Sequence, residues 1–304
     1  MREALRLAVV IGILQGVFEW LPVSSEGNVA LYLTVVEGLP EGAAVQYALF
    51  LHAGTALAAA VYYREEVGTV LRTLPGWGPG MAFADRDHAD LTFLVVATIT
   101  SALVGIVAYL ALDAIVNAVA GGAFVALIGV LLVGTGVVQW TATRGNDTTQ
   151  ADGGTATGGN IAPGGLDTAF GERAIANVPD ALLVGVLQGL AILPGVSRSG
   201  TTVSALLLRG FEEEIAFRLS FLLSIPAALG AAVLVLLDTG LPTIGPAPAA
   251  LALGTSAVVG YATIGGLMGI VRRVAFWVVC VLLGILAVLG GLFTSGLLTG
   301  PLLG

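Results

Sequence analysis

Gln15 and Glu19 stand four residues apart in an apolar segment, hence on one face of a helix. The segment breaks just beyond them at Leu21-Pro22-Val23-Ser24-Ser25-Glu26-Gly27-Asn28. A carboxylate and a carboxamide are thus aimed together beside a turn that carries hydroxyls. A second break, Pro194-Gly195-Val196-Ser197-Arg198-Ser199-Gly200-Thr201-Thr202, suits an anion. Its glycines allow close backbone approach, its hydroxyls and amides donate, the helix that follows offers a positive N-terminus, and Arg198 supplies a forked charge. Phosphate is the guest such a turn would take.

An acid or an arginine near a bilayer centre costs roughly 2.5 to 3.5 kcal/mol on insertion scales, so Glu19 and Arg198 are expected to work for their place. The plainer alternative is a mutual ion pair that holds the two breaks together. For Ser24 and Ser25 it is helix capping, since serine before a helix is ordinary.

The elements that must position these groups come from a duplication. Gly12-Ile13-Leu14-Gln15-Gly16 leads to the first break, and Gly185-Val186-Leu187-Gln188-Gly189 leads to the second. The copies differ where chemistry would need them to: Arg198 stands where the first copy has Ser25, and the Glu19 region becomes Ala191-Ile192. One half brings acid and the other base, as a composite site requires.

Composition places the chain in a membrane. Of its 304 residues 57% are hydrophobic and 11% charged, with a mean hydropathy of +0.97, beyond what a soluble domain shows. The net charge of −8 argues against a nucleic-acid partner, which demands a basic surface. Cys280 is the only cysteine, so neither a disulfide framework nor a cysteine metal site is available. The first apolar run resembles a signal peptide in length and flanks, but its recurrence inside the chain argues against that.

Spans of roughly 20 apolar residues are expected at Ala43 to Tyr63, Leu91 to Leu112, Ala118 to Trp140, Glu214 to Leu237, Pro248 to Ile270 and Val274 to Ser295. The repeated segments are shorter. A helix from Leu5 to Leu21 would extend about 25 Å and a return arm from Ser25 to Glu37 about 20 Å, against a hydrocarbon core of about 30 Å. Each reads as a re-entrant hairpin whose tip faces a protein-lined cavity, since lipid cannot satisfy free amides.

The expected architecture is an all-α integral membrane protein. Residues 1–140 form a first repeat with hairpin 5–37 and three spans, 141–177 a polar linker, and 178–304 a second repeat with hairpin 178–211 and three spans. Three spans between equivalent points invert the second copy. Arg64, Arg72, Arg86, Arg144, Arg173, Arg209, Arg218, Arg272 and Arg273 then fall on one side, with Arg2 and Arg6 on the other. By the positive-inside rule the linker is cytoplasmic and both termini lie outside a multi-pass cell-membrane protein.

The stretches from Gln15 to Gly27 and from Pro194 to Thr202 resemble the two signature motifs of the undecaprenyl-diphosphatase (bacitracin-resistance) family, and the likeness covers nearly the whole chain. The resemblance implies an integral membrane phosphatase that converts a polyprenyl diphosphate, undecaprenyl or dolichyl, to the monophosphate and so recycles a glycan lipid carrier. It also implies a divalent metal, Mg²⁺ or Ca²⁺, and a site open to the outer face. Carried over by position, Gln15 and Glu19 become the metal-binding motif, Ser25 the essential hydroxyl and Arg198 the phosphate-gripping arginine. Ser24, Asn28, Ser197, Ser199, Thr201 and Thr202 join Gln15 in holding substrate.

Two departures stand out. Asn28 occupies a place where bacterial members usually carry histidine, and Gln15 replaces the commoner glutamate. His52, within the first span, is read as satisfied by a neighbour in preference to a compensating imidazole; His88 falls in a loop. On this reading Ser25, or a metal-activated water that Ser25 positions, attacks the diphosphate. The alternative function is a transporter that flips a polyprenyl monophosphate, because inverted repeats with broken helices also build carriers.

Overall fold

A computed structural model describes residues 2–119, 121–151, 173–240, 245–271 and 273–295. Their secondary structure is helical apart from one isolated bridge between Arg173 and Phe211. In chain order the helices are α1 (Arg2–Phe18), α2 (Ser25–Leu31), α3 (Glu41–Tyr62), α4 (Arg64–Thr73), α5 (Arg86–Ala118), α6 (Gly122–Ala151), α7 (Val178–Leu190), α8 (Arg198–Leu208), α9 (Glu213–Asp238), α10 (Pro246–Val271) and α11 (Phe276–Thr294). Six of them, α3, α5, α6, α9, α10 and α11, are long and apolar enough to cross a membrane, matching the six expected spans. The protein is therefore an all-helical, multi-pass membrane protein.

Several boundaries differ from the sequence expectation for identifiable reasons. The first helix ends at Phe18, short of Leu21, because Pro22 lacks an N–H and its ring would collide with the carbonyl four residues back. That carbonyl instead accepts from the Leu21 amide at 3.1 Å. The return arm is α-helical only to Leu31 and continues as a wider π turn over Tyr32–Val36. The third span begins at Gly122, not Ala118, because the chain reverses at Gly121 with φ +64°. Helix α6 then runs on to Ala151, so residues 141–151 of the expected linker extend a helix, while 152–172 lie outside the described residues.

The packing partners repeat. Helix α1 lies on α10 and α7 lies on α5, while α6 pairs with α11 and α3 with α9. Glycine makes the two short-helix contacts possible. A Cβ on Gly16 would sit 2.8 Å from the Gly260 nitrogen, and one on Gly189 would sit 2.9 Å from the Gly105 nitrogen, both too close for any side chain. Each is the second glycine of a G-x-x-x-G run, the spacing that lets membrane helices touch backbone to backbone. Between these contacts an aromatic core forms, with the Trp20 and Phe221 rings 5.7 Å apart and the Trp20 indole N–H donating to the Gly260 carbonyl at 3.0 Å.

The base of the second short pair is pinned by Asp180, which is fully buried and accepts from Arg173 and Arg209 at 2.7 Å each. Gly16→Val and Gly189→Val should each force α1 off α10 or α7 off α5. Overpacking of this kind costs about 1–3 kcal/mol, and a lowered thermal unfolding midpoint in detergent would show it.

Candidate active site

The two breaks meet. Ser24 caps α2 and Ser197 caps α8, their hydroxyls accepting from the Gly27 amide at 3.2 Å and the Gly200 amide at 3.1 Å. These are equivalent positions of the two copies doing equivalent work. Ser24 does more: its Oγ also accepts from the Gly195 amide of the other tip at 3.1 Å. To do so it holds φ +59°, a region L-residues seldom occupy. A Cβ on Gly27 would lie 2.8 Å from the same Gly195 nitrogen, so glycine there is what lets the tips touch. The Pro22 carbonyl accepts from Gln139 Nε2 at 2.7 Å and from the Cys280 thiol at 3.0 Å, tying the first tip to α6 and α11.

Glu19 lies at the centre, almost wholly buried. One carboxylate oxygen pairs with the Arg198 guanidinium. The other, Oε2, accepts from Gln15 Nε2 at 2.8 Å and from the Ser25 hydroxyl at 2.8 Å. Of the two serines, then, Ser24 is the cap and Ser25 faces the acid. Besides His52 Nε2, Gln15 Oε1 and Arg198 Nη1 are buried in this cluster without a hydrogen-bond partner in the protein, one acceptor and one donor. A buried polar group with nothing to bond is costly, and here the pair is placed where a ligand would satisfy both.

His52 is satisfied by a neighbour, as expected, but only at one of its two nitrogens. Its Nδ1 is satisfied by the Ala48 carbonyl at 2.8 Å, as a core histidine would be. Its Nε2, however, lies 3.2 Å from Glu19 Oε2 and 3.0 Å from Glu26 Oε1, inside the cluster. Glu26 went unremarked in the sequence except as a turn residue. The available signal was the rule that an ionisable side chain within a membrane span is there for function.

Other expected residues take supporting places. Asn28 donates to the Val23 and Ser24 carbonyls at 2.7 and 2.8 Å, bracing the turn. The Ser199 hydroxyl lies 3.4 Å from the Leu21 carbonyl, bridging the tips. Thr201 bonds back to the Ser197 carbonyl at 2.9 Å. Thr202 bonds to the Arg198 carbonyl at 2.8 Å and meets Ser220 Oγ on α9 at 2.6 Å. The two threonine hydroxyls are thus committed within α8 and to α9.

Between Glu19, Ser25, Glu26 and Arg198 the free space is only about 10 Å³, on the scale of a single water. Glu26, His52 and Arg198 also border a larger cavity of about 250 Å³ among α3, α5, α7 and α9. Apart from those three and Gln188, its walls are mainly Leu, Ile, Val, Ala and Gly, ending at Leu237. The arrangement is an apolar slot with acid, guanidinium, imidazole and hydroxyl at one end. It fits an amphiphile whose anionic head meets Arg198 and whose chain lies along α5 and α9.

Residues 8–289 match the family model described as bacitracin resistance protein BacA. A protein of Haloarcula marismortui named undecaprenyl-diphosphatase is 53% identical, over 95% of this chain and 98% of its own length. Proteins of the same name from Methanopyrus kandleri and Methanococcoides burtonii are 36% and 33% identical, over 95% and 93% of this chain and 97% and 96% of theirs.

Ser24→Ala would leave the Gly27 and Gly195 amides unpaired in a buried turn. A buried donor left unsatisfied costs about 1–3 kcal/mol, so this variant should unfold at a lower temperature than the parent in the same detergent.

Proposed function

The chain belongs to the bacitracin resistance protein BacA family, and on that premise we propose that it hydrolyses a polyprenyl diphosphate, of undecaprenyl or dolichyl type, to the monophosphate and phosphate. The observation that carries this reading is the double engagement of Glu19, by Arg198 from the opposite tip and by the Ser25 hydroxyl, at the head of an apolar cavity. The relatives are named as diphosphatases, which favours turnover over the carriage of a monophosphate.

The isoprenoid chain lies in the cavity along α5 and α9, and the diphosphate reaches Arg198, whose Nη1 has no protein partner. Binding exchanges part of the Arg198–Glu19 pair for Arg198–phosphate contacts, which leaves Glu19 freer to act as a base. Ser25 Oγ, already donating to Glu19 Oε2 at 2.8 Å, attacks the terminal phosphorus as its proton passes to Glu19. The bond to the lipid monophosphate breaks, and water then releases phosphate from the serine. Arg198 and the α8 N-terminus stabilise charge on the phosphoryl oxygens.

The donor set suits a hard divalent ion. Gln15 Oε1 is a buried carbonyl oxygen with no partner, next to the Glu19 carboxylate. No group of three or more His, Cys, Asp or Glu among the described residues is arranged to hold an ion unaided. Mg²⁺ or Ca²⁺, both oxygen-seeking ions, would be held by Gln15 and Glu19. Such an ion would neutralise charge on the diphosphate.

The two copies are read as an inverted repeat with re-entrant short pairs, each 17-residue or shorter leading helix turning back within the membrane. The exchanged pairing of α1 with α10 and α7 with α5 supports this reading. The arginine asymmetry supports both termini outside and the 141–177 segment in the cytoplasm.

Purified protein in detergent should release phosphate from undecaprenyl diphosphate in a Mg²⁺- or Ca²⁺-dependent way. Glu19→Gln and Arg198→Ala should each lower kcat by about 10²–10³-fold, the usual loss for a transition-state contact. Tight lipid binding with no phosphate release by the parent protein would sink the hydrolase reading. Ser25→Ala should be inactive and the parent should yield a trapped phosphoserine at position 25; full activity in Ser25→Ala would instead assign attack to water.

A further inference from the structure

The proposed reaction uses Glu19, Ser25 and Arg198, and leaves two buried ionisable groups beside them without a part. Glu26 and His52 are each more than nine-tenths buried, on different helices; both border the apolar cavity, and Glu26 also the small space between the tips. The imidazole is oriented from behind: a carbonyl can only accept, so the 2.8 Å contact to Ala48 requires a proton on Nδ1. That directs Nε2 between Glu26 Oε1 at 3.0 Å and Glu19 Oε2 at 3.2 Å. Both are ion-pair distances and not aligned hydrogen bonds, so the ring bridges the two acids as an imidazolium, with a proton on each nitrogen. Without it, two carboxylates would face one another in a nearly dry cleft, and like charges at such range repel strongly in low dielectric.

From this geometry, and resting on the hydrolase reading above, we infer that His52 is a positioning residue for Glu19 and that Glu26 is the carboxylate it holds apart. The imidazole fixes Glu19 so that Oε2 stays directed at the Ser25 hydroxyl. Glu26, meeting the same nitrogen as Glu19, holds that edge of the imidazole between the two acids. Asn28, whose amide is spent on the Val23 and Ser24 carbonyls, takes no part in this.

The two nitrogens of His52 can be separated by substitution. His52→Asn can reproduce the Nδ1 donor toward Ala48 but cannot reach the two acids, whereas His52→Gln places an amide nitrogen near the Nε2 position. His52→Asn should lose about 10- to 100-fold in kcat, the usual cost of losing a group that orients a first-contact residue, with KM little changed. His52→Gln should keep most of the parent kcat. Adding Glu26→Gln to His52→Asn should recover much of the loss, since only one carboxylate then remains. All are measured as phosphate release from undecaprenyl diphosphate in detergent, beside each variant's unfolding midpoint.

Parent-like kcat in His52→Asn, a His52→Gln as slow as His52→Asn, or a double variant no faster than His52→Asn would each overturn the inference. The hydrolase reading fails separately, by the parent protein releasing no phosphate at all.

Discussion

A guanidinium from one half of the chain and a carboxylate from the other meet inside an apolar bundle, and the rest of the site is arranged around that meeting. An isolated charge at this depth would be expelled or neutralised. Arg198 and Glu19 are tolerable only together, and the more so as their remaining lone pairs and protons find partners. Gln15, Ser25 and His52 occupy the second oxygen of Glu19. The pair also requires the two tips to touch, which accounts for Gly27 against Gly195 and for the Ser24 hydroxyl that spans the gap. Arg198 Nη1 and Gln15 Oε1 are left over, and they are the atoms a phosphate and its counter-ion would engage.

Duplication supplies the frame and divergence the chemistry. Ser24 and Ser197 cap equivalent helices, Gly16 and Gly189 lie flush against equivalent partners, and Gln15 and Gln188 each keep a buried oxygen without a partner. At the first residue of the following helix the copies part: Ser25 in one, Arg198 in the other. A site at the junction of two such units receives a hydroxyl from one and a guanidinium from the other, which neither unit contains alone. The apolar cavity beside it is built by α3, α5, α7 and α9, again from both halves, so on the proposed reading head and chain of one lipid would meet a surface that exists only when the halves are joined.

The sequence alone determined the six spans, the duplication, the two breaks and the composite acid-and-base logic. These follow from hydropathy and local chemistry: lipid demands long apolar runs, proline and glycine interrupt helices wherever they stand, and a four-residue spacing puts Gln15 and Glu19 on one face in any helix. Tertiary structure decided the rest. Which serine caps and which faces Glu19 depended on the turn held open at Ser24. Most of all, His52 and Glu26 entered the site only through the packing of α3 against α2. A hydropathy pattern records how deep a side chain lies and not which neighbour it meets, so a histidine satisfied by its own helix and one bridging two acids read alike until the helices are placed side by side.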